Sequence, residues 1–100
     1  MGYKHIMNRD QYTKLEQLPN IGPALARDLR LIGIYHPCDL LEKDPYTMFD
    51  KLCHITKQHH DPCVLDVFIS VVRFMQGAPK QPWWVYTVER KERLNKSKGT

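Results

Sequence analysis

No stretch of the 100-residue chain is an uninterrupted apolar run of the about 18 residues that a membrane-crossing helix needs. The first ten residues, MGYKHIMNRD, carry charge and polarity where a signal peptide requires an apolar segment. The expected location is therefore the cytoplasm, with no membrane partner. Cysteine is sparse and odd in number: Cys38, Cys53 and Cys63 form no Cys-x-x-Cys pair and lack the density of a secreted disulfide framework. That usage fits a reducing compartment. There is also no Gly-rich phosphate loop and no pair of carboxylates at a telling spacing, so nucleotide hydrolysis and paired acid–base catalysis have no support in the sequence.

What remains is a chain with 42% hydrophobic residues, enough for one modest core and too short for two ordinary domains. The expected organisation is an N-terminal extension over 1–9, one domain over 10–94 and a basic tail over 95–100. The net charge of +4 is unevenly placed. From position 89 onward five cations, Arg90, Lys91, Arg93, Lys96 and Lys98, face only Glu89 and Glu92. Such an excess can steer a protein toward a polyanion or can simply solvate a tail.

Helix punctuation is frequent and strand signal is scarce. Asp10 can cap a first helix ending near Gln17, Pro23 suits the first turn of a second, and Gly33 stops that second helix. Pro37 starts a short turn that would bury Leu40 and Leu41. Asp44-Pro45 opens a helix with Met48, Phe49, Leu52 and Ile55 as its core-facing stripe. Asp61-Pro62 opens another, in which Val64, Leu65, Val67, Phe68, Ile69, Val71, Val72, Phe74 and Met75 surround almost the whole circumference, as a central buried helix requires. WWVYTVERKERL reads as a last helix, with Trp83, Trp84 and Val88 returning to the core, although adjacent tryptophans on a helix point about 100° apart, so that one packs while the other lies near the surface. The expected fold is all-α, with about five to six helices around that central one.

Between the first two helices stands LPNIGP. A sharp reversal there suits Gly22 at positive φ, and Asn20 is among the few other residues that tolerate it. The backbone amides of such a loop, joined by those at the following helix start, can converge on a phosphate oxygen. The whole stretch LPNIGPALARDLRLIGI resembles the helix-hairpin-helix motif of DNA-binding proteins. LCHITKQHHDPCVLDVFISVVRFM together with PWWVYTVERK resembles the small pathogenicity-locus family, some members of which are labelled mitomycin resistance proteins. These resemblances imply a tandem helix-hairpin-helix fold and a DNA-backbone contact at Asn20, Ile21, Gly22, Pro23 and Ala24. Two departures from the motif bear on mechanism: Asn20 replaces its first Gly, and Ala24 stands where it commonly has Lys. Arg27 is a partial substitute one turn on, and Arg90, Lys91 and Arg93 form a second candidate contact.

CHITKQHHDPC gathers Cys53, His54, His59, His60 and Cys63 within eleven residues. Thiolates and imidazoles at this density could close a zinc site, with Cys53, His59, His60 and Cys63 as the candidate ligands. Cys53 also lies on the apolar stripe beside Leu52, and Asp61 is a natural N-cap, so core and capping roles compete with metal. A third possibility is a Cys63 thiolate activated by the helix dipole with His60 as its base. The expectation adopted is a structural role, with no metal, no cofactor and no catalytic residue. The chain is then a non-catalytic module touching DNA backbone without sequence readout. The alternatives are a protein-interaction adaptor using the same hairpins and, further off, a thiol- or zinc-dependent enzyme.

Overall fold

The computed structural model describes residues 11–99, with side chains as far as Leu94. Asp10 and the extension over 1–9 lie outside the described residues, as do the side chains of Lys96 and Lys98. The described residues form four α-helices and no strand: α1 Pro23–Leu31, α2 Pro45–Thr56, α3 Pro62–Met75 and α4 Thr87–Gly99. Three 3-10 turns, Leu15–Gln17, Pro37–Leu40 and Trp83–Tyr86, join or precede them. The described residues are all-helical, with four α-helices where about five to six helices were expected of the whole chain.

The punctuation residues act as their chemistry dictates. Pro occupies the first turn of α1, α2 and α3, where its missing N–H costs nothing. Asp44 caps α2 by accepting from the Tyr46 amide at 3.2 Å, and Asp61 caps α3 by accepting from the Cys63 amide at 2.8 Å. Gly33, at φ 92°, closes α1: its amide bonds to the Arg30 carbonyl and the Ile34 amide to that of Leu29. Gly77, at φ 112°, does the same for α3 through Phe74 and Arg73.

Helix α3 is the centre of the core. Leu65, Val67, Phe68, Ile69, Val71, Val72, Phe74 and Met75 are all buried, and α2, α4 and two of the 3-10 turns pack around the helix. Helix α1 lies against α2 and the Leu15–Gln17 turn, contributing Ala26 and Leu29 to the same core.

Four expectations are corrected. No α-helix precedes the Leu18–Gly22 turn within the described residues; the chain enters extended at Lys14 and makes only the Leu15–Gln17 turn. The reason is local: the Gln17 carboxamide oxygen accepts the Thr13 and Lys14 amides at 2.9 and 3.0 Å, closing a short loop there. The positive φ of the following turn belongs to Asn20 (71°), while Gly22 is extended at φ −99°. Leu41 and Ile55 are exposed, because the Pro37–Leu40 turn buries Pro37 and Leu40 but not the residue after them, and the α2 stripe ends with Leu52. Lastly, Trp83 packs on the core but Trp84 and Val88 are 61% and 62% exposed. A 3-10 turn precedes α4, so these residues do not share one α-helical face, and Tyr86 packs on the core with Trp83.

Candidate functional site

The two polar residues buried in the core among the described residues, Asp66 and Ser70, both lie on α3. Four residues apart, they share one helix face about 6 Å apart along the axis. Each fastens a different candidate segment. Ser70 donates to the Val67 carbonyl (2.7 Å) and accepts from the Asn20 carboxamide (3.3 Å). Asp66 accepts from Arg90 through both carboxylate oxygens (2.8 and 3.2 Å) and from the Thr87 hydroxyl (2.7 Å). The Asn20 turn and the start of α4 therefore anchor on successive turns of the same buried helix.

At the turn, Asn20 is half-buried, and its amide nitrogen makes a second bond to the Gln81 carbonyl at 2.9 Å. These bonds offset the cost of a left-handed conformation in a residue with a Cβ. Ile21 points into the core, leaving only its backbone near the surface. Gly22, Pro23 and Ala24 are exposed in sequence at the head of α1. Gly22 is the N-cap residue and carries no side chain, so this helix start has no side-chain cap, whereas α2 and α3 are capped by aspartates. The amides of Ala24 and Leu25, at the second and third helical positions, are the donors such a cap would have taken. A Cβ built on Gly22 meets nothing within 4 Å, so the approach to those amides is open.

The cations divide into engaged and unengaged. Arg30 is held on Glu16, with both carboxylate oxygens at 3.2 Å, and Arg73 on Glu89 at 2.6 Å. Arg90 is spent on Asp66, whose hydrogen bonds hold its guanidinium still more firmly protonated. Arg93 lies over the Tyr46 ring, 4.2 Å from its centroid, at cation–π distance. Of the residues expected to touch phosphate, Arg90 thus serves the fold and Arg93 leans on Tyr46. Arg27 and Lys91 are exposed and make no ion pair among the described residues.

An open groove of about 440 Å³ runs beside the turn, lined by Gln17, Leu18, Pro19 and Asn20 on one wall and Lys80, Gln81 and Pro82 on the other. Lys80 carries no local sequence signal, because it sits far along the chain from the turn, inside a Pro-flanked loop. Asp66 and Ser70 did leave a sequence signal: two polar residues at i and i+4 inside the apolar run from Val64 to Val72.

The Cys/His cluster is dispersed. Cys53 is half-buried against the core, Cys63 is exposed, and both are free thiols. His60 Nε2 lies 2.8 Å from the Thr56 hydroxyl, which donates to the Leu52 carbonyl, so His60 Nε2 is the donor of that pair. His59 meets the Phe49 ring edge to face at 6.2 Å. Among the described residues no group of three or more His, Cys, Asp or Glu side chains is placed to hold a metal ion. The Cys63 thiol is pushed up, first by its hydrogen bond to the Asp61 carboxylate and then by burial, the opposite of the dipole-activated thiolate considered from sequence.

A mitomycin resistance protein, McrB, of Streptomyces lavendulae is 36% identical over 88 residues, covering 88% of this chain and 84% of the relative. No solved structure matches the chain. The family model described as the pathogenicity locus, Cdd1, matches residues 8–92, and the chain belongs to that family.

Proposed function

We propose that the chain binds the phosphodiester backbone of DNA without reading bases, through the turn from Asn20 to Ala24 acting as a helix-hairpin-helix loop in a cytoplasmic protein. The observation that carries this reading is the uncapped, exposed start of α1, where Gly22 leaves the Ala24 and Leu25 amides to an external acceptor. Helix N-termini favour anions through both these donors and the helix dipole. Arg27 and Lys91 supply unpaired positive charge. Ile21, buried, and Asn20, tied to Ser70 and Gln81, hold the loop in place before any ligand arrives.

Backbone binding by two or three neutralised phosphates should weaken by roughly ten- to fortyfold between about 50 and about 200 mM salt. A salt titration of oligonucleotide binding, single- and double-stranded, tests this. Exposed Trp84, Val85 and Val88 favour a second reading, a protein-interaction adaptor. An apolar interface of that kind would be nearly indifferent to the same salt range, so the titration separates the two.

A further inference from the structure

The geometry points to Lys80 as a phosphate-binding cation, delivered from the α3–α4 loop into the groove beside the Asn20 turn. The inference rests on the backbone-binding reading above and names a contact that the turn itself lacks, since Ala24 provides no charge.

Five observations support it. Its lining includes one lysine and no carboxylate. Glu16, the acid next to it in sequence, is already held on Arg30. Lys80 is exposed and forms no ion pair among the described residues, so its charge is available to a ligand. The loop that carries it is pinned rather than loose: the Gln81 carbonyl accepts from Asn20 at 2.9 Å, the Gln81 carboxamide donates to the Tyr86 hydroxyl at 3.4 Å, and Pro79 and Pro82 flank the lysine. Across the groove, the Gln17 oxygen is occupied by the Thr13 and Lys14 amides, which leaves its NH2 group to donate. An ammonium on one wall and a carboxamide donor on the other suit a phosphate group, monoester or diester. Taken with the backbone-binding reading, the assigned ligand is a polynucleotide phosphodiester.

The test compares wild type, Lys80→Gln and Lys51→Gln, the last removing the same charge on α2, beside a different pocket that also holds Glu42 and Asp44. Each full chain is titrated with one fluorescent 20-mer DNA across about 50 to about 200 mM salt, and each with inorganic phosphate alone. Thermal melts should coincide, because neither lysine has a partner to lose. Lys80→Gln should reduce the magnitude of the log–log salt slope by about 0.9, so that the affinity lost over this range is about 3.5-fold smaller than for wild type; Lys51→Gln should leave the slope at the wild-type value. Wild-type DNA binding with an unchanged slope in Lys80→Gln overturns this assignment and leaves the backbone reading standing. Equal slope changes in the two variants also overturn it, by reducing Lys80 to net charge. Phosphate binding lost in Lys80→Gln with DNA binding untouched makes the groove a small-anion site and overturns the polynucleotide ligand. Absence of DNA binding by wild type at the lowest salt overturns both readings.

Discussion

The guanidinium of Arg90 meets the carboxylate of Asp66 at 2.8 Å, and the Asp66 side chain is completely buried in the central helix. None of residues 87–94 of α4 is fully buried, so this helix is docked mainly by polar contacts: Arg90 and Thr87 on Asp66, Arg73 on Glu89, and Arg93 on the Tyr46 ring. Of these, the Asp66 contact is the one removed from water, where an unpaired charge is most costly.

Arg90→Met should therefore destabilise the protein by roughly 3 to 5 kcal/mol, since it strands a buried carboxylate. The double variant Asp66→Leu with Arg90→Met should recover most of that loss, because replacing both members removes the desolvation cost. Urea denaturation monitored by far-ultraviolet circular dichroism measures both. A single variant as stable as wild type would mean that α4 does not depend on the pair.

The adjacent tryptophans should behave unlike each other. Trp83 packs on the core and meets Trp84 edge to face at 5.7 Å, while Trp84 is 61% exposed. Trp83→Ala should cost about 2 kcal/mol, below the roughly 3 to 5 kcal/mol of a fully buried tryptophan because Trp83 is only half-buried. Trp84→Ala should change stability by less than about 0.5 kcal/mol. Acrylamide quenching of the two single-tryptophan variants gives an independent reading: the emission of the Trp84-only protein should quench more strongly.

Cys63 should be a slow thiol. Its hydrogen bond to Asp61 raises its ionisation above the ordinary thiol range, so iodoacetamide alkylation near neutral pH should lag behind that of a free cysteine. Asp61→Asn should accelerate it. Asp61 shifts the other way: its carboxyl is held low, first by the Cys63 backbone amide and then by the thiol. A depressed carboxyl stabilises the fold above its unfolded value, about 4, and that contribution is lost as pH falls through the lower folded value. Acid unfolding of Asp61→Asn should accordingly be less steep than that of wild type. Fast alkylation of wild-type Cys63 would contradict a raised thiol ionisation.

The elements most legible in the sequence were those fixed by local chemistry. Asp44-Pro45 and Asp61-Pro62 announced helix starts because cap and proline act within one turn, and Gly33 and Gly77 announced stops because positive φ is a local requirement. The apolar run of α3 likewise identified the central helix. Contacts that depend on distant residues were not legible. Asn20 takes the left-handed conformation in place of Gly22 because Ser70 and Gln81, 50 and 61 residues away, hold its side chain. Arg90 looked like part of a free basic segment because its partner Asp66 lies in an apolar helix 24 residues earlier. Lys80 likewise reaches the groove only through the fold.

The backbone-binding account turns on the open amides at the start of α1, and Gly22→Asp tests them most directly. Gly22 has the extended backbone of an N-cap residue and free space at its Cβ, so an aspartate fits there and its carboxylate can accept from the Ala24 or Leu25 amide. The variant should be more stable than wild type by up to about 1 kcal/mol in urea denaturation, while losing DNA binding because its own carboxylate occupies the phosphate position. A stabilised Gly22→Asp protein that still binds DNA with the wild-type affinity and salt slope would contradict the account.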